Sequence, residues 1–135
     1  MADQRNIVVP PCTEKGHRSY HFAAGVAGVK AGGPLFCSGQ IGVKDGKVAS
    51  DSAEQFTATF DALGGDLEVA GCTFNDVVDL TTFHIGFPEH LQEFMSVKDR
   101  YLKEPWPAWT AAGVTTLAHS DALVEIKVTA ELPRA

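Results

Sequence analysis

Glu125 is the carboxylate whose setting most suggests chemistry. It stands in a stretch where Val124, Ile126 and Val128 alternate with Glu125, Lys127 and Thr129, the pattern of a strand with one apolar face and one face of ionisable groups. A carboxylate on such a face is commonly just solvated, but a cleft that desolvates it would raise its pKa toward neutrality and make it a general acid/base. His84, in Val77 to Ile85 (VVDLTTFHI), alternates with Thr82 and Leu80. Those three should share the face away from the helices, with Phe83 and Ile85 turned toward them. There the imidazole could exchange protons near pH 7 as a helper to Glu125, or serve as a hydrogen-bonded structural histidine. Trp109 could wall a pocket by stacking or anchor an interface. Ser38 and Gln40 are expected to fix a strand end by hydrogen bonds, because no base or nucleophile motif surrounds Ser38.

Other chemistries find little support. Cys12, Cys37 and Cys72 are odd in number and far apart, which suits reduced thiols in a cytoplasm better than a disulfide framework. Neither a CxxC nor an HExxH zinc motif occurs among the cysteines and the five histidines, so metal catalysis finds little support. Dinucleotide, P-loop and nucleophile-elbow motifs do not occur. Eleven Lys and Arg against 17 Asp and Glu give a net charge of −6, with the basic residues scattered singly. Such a chain has no patch to neutralise a run of phosphates, and nucleic acid is not an expected partner. No apolar run approaches the roughly 18 to 20 residues that span a bilayer, and the first residues lack a basic region followed by an apolar one. A cytoplasmic protein without a membrane partner is expected.

The elements that must position these groups can be read from the punctuation. Length and 44% apolar content suit one domain over 1–135, with 1–18 as an N-terminal extension. Residues 25–30 and 34–41 flank Ala31-Gly32-Gly33 as a β-hairpin, and a short strand near Lys47 to Ala49 follows the turn Lys44-Asp45-Gly46. Ser52 to Gln55 matches a capping box, after which Phe56, Phe60, Leu63, Leu67 and Ala70 recur at helical spacing up to Gly71. Gly64-Gly65 costs this first helix up to about 1 kcal/mol per glycine, which predicts a kink or fraying. Val77 to Ile85 reads as a strand ended by Gly86. A second helix should begin with Pro88 in its first turn, carry a stripe of Leu91, Phe94, Met95, Tyr101 and Leu102, and stop at Pro105. Trp109 to Val114 and Ala122 to Leu132 complete the strands. The order β-β-β-α-β-α-β-β predicts an α+β two-layer sandwich, a mixed sheet with two helices on one face. Leu80, Trp109 and Ala111 would then lie on the uncovered face, which predicts burial by self-association.

The chain resembles the Rid family, the reactive intermediate imine/enamine deaminases also called the YjgF family. The resemblance runs from about Gly25 to Leu132 through Gly33-Pro34-Leu35-Phe36-Cys37-Ser38-Gly39-Gln40, the helix bearing Gln55, Ala70-Gly71 followed by Asp76-Val77-Val78, Trp106-Pro107-Ala108 and Val124-Glu125-Ile126. It implies a chorismate-mutase-like fold, a homotrimer with ligand sites between subunits, and cofactor-free hydrolysis of an enamine or imine to a keto acid and ammonia. It also implies that Glu125 orients the hydrolytic water. The substrate-binding set it implies is Trp109, Tyr20, Ser38, Ala111 and Lys98. The family's deaminases carry a carboxylate-gripping arginine at the position of Trp109, an asparagine at Lys98 and a cysteine at Ala111, so this chain is similar to the subgroups that lack the arginine. An indole offers one N–H and no charge and cannot act as a carboxylate fork, and Trp109→Arg would be expected to restore activity if the cleft is otherwise intact. The sequence leaves open a hydrolase or tautomerase of conjugated carbonyl compounds, a non-catalytic metabolite-binding trimer, and a stress-chaperone role.

Overall fold

The computed structural model describes residues 5–8, 25–28 and 33–133, with side chains over 33–133. Tyr20 lies outside the described residues. Six strands form one sheet in the order β1 (Arg5–Val8), β2 (Gly25–Gly28), β3 (Pro34–Cys37), β8 (Val124–Glu131), β6 (Val77–His84), β7 (Ala108–Gly113). The β6–β7 pair is parallel and the other pairs are antiparallel, so the sheet is mixed. Two helices, α1 (Ser52–Val69) and α2 (Leu91–Tyr101), pack on one face of it. A separate two-residue ribbon, β4 (Val43–Lys44) with β5 (Lys47–Val48), turns through Asp45 and Gly46, both at positive φ; this is the turn expected there, closing a ribbon rather than leading into a lone strand. Strand β1 was not among the expected elements: Arg5–Val8, inside the segment read as an extension, pairs with β2 at the sheet edge.

Helix α1 is capped by Asp51, whose carboxylate accepts the Glu54 N–H, and not by Ser52. Gln55, read as the partner in a capping box, instead spends its amide inside the fold. Its Nε2 donates to the carbonyls of Ala49 and Asp121, and its Oε1 accepts the Leu123 N–H, so it ties the start of α1 to the approach to β8. The helix runs unbroken through Gly64-Gly65. A Cβ at Gly64 would come within 3.1 Å of the Phe74 ring, so packing against that ring offsets the intrinsic penalty. The end at Gly71, in the left-handed region, is as expected.

Helix α2 begins at Leu91 rather than at Pro88. Residues 85–90 are spent on successive turns in which Glu89 N–H reaches Gly86 C=O and Leu91 N–H reaches Pro88 C=O. It ends at Tyr101, with Leu102 N–H bonded to Lys98 C=O, before Pro105 is reached.

An aromatic column joins the layers. Phe60 stacks on Tyr101 with centroids 4.9 Å apart and lies 5.7 Å from Phe94, while Phe74 meets the Tyr101 edge at 5.3 Å. Polar rivets at the rim, Tyr101 Oη to Asp61, Arg100 to Thr57 and Ser52 to Glu93, hold α1 beside α2. Beneath them Leu35, Cys37, Leu80, Val124, Ile126 and Val128 form the sheet side of the core.

The facing of β6 is opposite to the expectation. Leu80, Thr82 and His84 are buried under the helices, and His84 meets the Phe94 ring edge-on at 4.8 Å. Trp109 and Ala111, registered with Leu80 and Thr82, share that side. The uncovered face instead carries Phe36, Thr129, Lys127, Thr81, Glu125, Phe83 and Ala112, in register across β3, β8, β6 and β7. Phe36 is 55% exposed.

Candidate functional site

Glu125 lies on the open face as expected, directly across from Phe83. Its carboxylate rests over Gly39, so closely that a Cβ on that glycine would fall 2.4 Å from Oε2. The contact follows from local pairing. Gln40 exchanges both backbone hydrogen bonds with Ile126, at 2.8 and 3.0 Å, which sends the Gln40 and Ile126 side chains inward and leaves Gly39 beneath Glu125 on the outer side. Burial against this segment raises the Glu125 pKa above the ordinary glutamate value. Ser38, partly buried, is the neighbouring residue. A half-buried carboxylate with a raised pKa, on an open face beside a backbone with no side chain in the way, can both take and return a proton.

The other predicted site residues form a second group on the opposite side of the sheet. The Trp109 indole N–H donates to Thr82 Oγ1 at 2.9 Å, and Thr82 Oγ1 lies 2.7 Å from His84 Nε2. Lys98 is buried with its Nζ 4.7 Å from the Trp109 ring centroid, and Trp109 packs against Phe94. Burial, with His90 nearby, lowers the His84 pKa and so favours the neutral imidazole over the charged one. His84 and Glu125 were expected on one face of neighbouring strands. They are on opposite faces, because His84 pairs with Val124 while Glu125 pairs with Phe83. The hydrogen-bonded structural role weighed for His84 is the one its surroundings fit. Ala111 sits beside this inner group and offers no polar atom beyond its backbone.

Two contributors escaped the sequence reading. Gly39 was visible as part of a motif, yet its role as the seat of Glu125 depends on a contact across 86 positions of chain. Asp66 is fully buried on α1 and accepts a 2.7 Å hydrogen bond from Gln40 Nε2. Its signal was present: it falls three residues after Leu63 and one before Leu67, on the apolar stripe where a carboxylate is out of place. Among the described residues no cluster of His, Cys, Asp and Glu has the makings of a metal site, and no helix is long and apolar enough to cross a membrane.

Comparison with known proteins places these features. The family model described as Endoribonuclease L-PSP matches residues 19–132. The RutC family protein YjgH of Escherichia coli (strain K12) is 37% identical over 132 residues, which are 96% of this chain and 97% of that one. The mitochondrial protein mmf2 of Schizosaccharomyces pombe is 35% identical over 105 residues, 73% of this chain and 80% of that one. Among solved structures, protein YjgH superimposes with a TM-score of 0.87 at 36% identity, covering 98% of this chain and 100% of the other. RidA from an Antarctic Psychrobacter gives 0.73 at 25% identity over 82% and 88%. With both the sequence and the mixed sheet under two helices in common with these proteins, the chain belongs to the YjgF/Rid family, the group that the Endoribonuclease L-PSP model describes.

Proposed function

We propose that the protein is a small-molecule hydrolase or tautomerase of the Rid type, acting on an imine, enamine or related conjugated carbonyl compound with Glu125 as its general acid/base. The observation that carries this reading is the seating of Glu125: a carboxylate on the open sheet face, held over the bare backbone of Gly39, with burial raising its pKa. The site is completed by a neighbouring copy of the chain in a homotrimer. Phe83 across from Glu125 and the exposed Phe36 further along the same face support such closure, because a lone subunit would leave this apolar surface uncovered. In the deaminases that the chain resembles, an arginine at the position of Trp109 grips the substrate carboxylate; here the indole N–H is spent on Thr82 inside the fold. Deamination of 2-aminoacrylate is therefore not the expected main activity, since a charge-assisted bidentate contact of roughly 3 kcal/mol is worth more than a hundredfold in kcat/KM. The nuclease description of the family model fits poorly with a net charge of −6 and basic residues scattered singly along the sequence.

The reaction needs one group to take a proton from water or substrate and return it to the leaving nitrogen or to carbon, and a single carboxylate can do both in turn. The test is turnover of a panel of enamines and imines generated in situ, compared between the parent and Glu125→Gln. The expected result is a loss of at least about a hundredfold in kcat with the assembly unchanged. Equal turnover by the two proteins overturns the role of Glu125, and turnover by neither above the uncatalysed rate puts a non-catalytic metabolite-binding trimer in its place.

A further inference from the structure

Asp66 is a costly residue to bury. It is 0% exposed on α1 between Leu63 and Leu67, where an aliphatic side chain would complete the core, and its Oδ1 has no hydrogen-bond partner. A buried carboxyl with an orphaned oxygen lowers stability unless the group does something a leucine could not. Its one described hydrogen bond shows what that is. Asp66 Oδ2 accepts from Gln40 Nε2 at 2.7 Å, and Gln40 is the residue whose backbone bridges Ile126, one position after Glu125, and whose neighbour Gly39 is the surface on which the Glu125 carboxylate rests. Beyond Cys37 the chain leaves β3 for this segment, and Gln40 makes a single bridge rather than joining a strand, so the Gly39 seat has little ladder to hold it.

We propose that Asp66 is a positioning residue for Glu125: by anchoring the Gln40 side chain from the helix layer it fixes the Ser38–Gln40 segment as the floor against which the Glu125 carboxylate is seated. The inference rests on the reading of Glu125 as the acid/base only for its consequence in turnover; the seating itself is measurable without a substrate. Without the anchor, the Gln40 amide and the segment carrying it shift, water reaches the underside of Glu125, and the desolvation that raises its pKa is relieved.

The experiment follows the Glu125 carboxyl by carbon-13 NMR in protein labelled at the glutamate Cδ, with the signal assigned by its loss in Glu125→Gln. Three variants of the full chain are titrated beside the parent: Asp66→Leu, Gln40→Met and Asp66→Asn. The first two remove one half of the hydrogen bond with side chains of similar size, so folding does not depend on both succeeding. In either, the Glu125 midpoint is expected to fall by about half a pH unit or more toward the ordinary glutamate value, with kcat reduced about tenfold or more and KM changed less. Asp66→Asn keeps an oxygen for Gln40 and is expected to hold the parent midpoint. Asp66 as a merely structural residue would instead lower the melting temperature while leaving the Glu125 midpoint where it is, and that result overturns the proposal. A moved midpoint with unaltered turnover upholds the positioning and removes the catalytic reading; an unmoved midpoint beside a dead Glu125→Gln enzyme does the reverse.

Discussion

Replacing Asp66 by Asn should change how stability depends on pH, and the size of the change can be worked from the burial of the carboxyl. Desolvation raises its pKa from the usual 3.8 to about 7, against the opposing hydrogen bond from Gln40. In the unfolded chain the proton leaves near the ordinary value. Between the two pKa values the folded chain therefore binds more protons than the unfolded one, so stability falls as pH rises through this window and levels off above pH 7. At about 1.4 kcal/mol per pH unit, a rise of this size corresponds to roughly 4 kcal/mol in all, of which about 2 to 3 kcal/mol is lost between pH 5 and pH 8. Asparagine has no proton to lose, and Glu125, His84, Cys72 and Tyr101, whose pKa values the fold also shifts, are common to both proteins and cancel in the difference. The titratable group facing Asp66 from β3, the Cys37 thiol, is pushed up to about 12 and stays neutral throughout. Urea unfolding of parent and Asp66→Asn at one protein concentration, from pH 5 to pH 9, should show the gap moving by about 2 to 3 kcal/mol in favour of Asn as pH rises. A gap that moves by less than about 0.5 kcal/mol would refute the buried, high-pKa carboxyl.

Three further outcomes follow from the geometry. Gly39→Ala should fold, since its Cβ meets the far end of a flexible side chain, yet push the Glu125 carboxylate off its seat and cost at least about tenfold in kcat, read in the same assay as Glu125→Gln. Trp109→Arg should gain no carboxylate grip on the Glu125 face, contrary to what the sequence alone suggested. Its guanidinium would enter the helix layer beside Lys98, and thermal melts should show about 2 kcal/mol or more of destabilisation. Sedimentation equilibrium at micromolar concentration should give three times the 14.4 kDa of the chain, and a monomer would remove the shared cleft.

The alternation of β8 was legible because its apolar and ionisable residues segregate cleanly, and Glu125 could be placed on the outer face from the sequence alone. In β6 the same reasoning failed. That strand mixes apolar and polar residues on both sides, with Phe83, Asp79 and Thr81 outward and Leu80, Thr82 and His84 inward, the buried Thr82 and His84 being satisfied by each other and by the Trp109 indole. Hydropathy carries no phase for such a strand. The resemblance gave the family and the Ser38–Gln40 landmark, whereas the Glu125 contact with Gly39 and the Asp66 anchor are long-range pairings that local pattern does not encode. Helix boundaries slipped where side chains found tertiary work, as Gln55 did in bridging to Asp121 and Leu123.

Strand β6 contains one residue more than its partner can match: Val77 pairs with Ala130 and Asp79 with Thr129, leaving Val78 as a bulge, turned outward and half exposed. This surplus gives the strand a single place where its length can change. Deleting Val78 closes the bulge and leaves every later residue on its present face, while removing any one residue from Asp79 to His84 reverses the faces on one side of the cut and carries Thr82 or His84 into solvent or Phe83 into the helix layer. Across relatives of different length, the gaps that an alignment opens in this strand therefore belong at Val78.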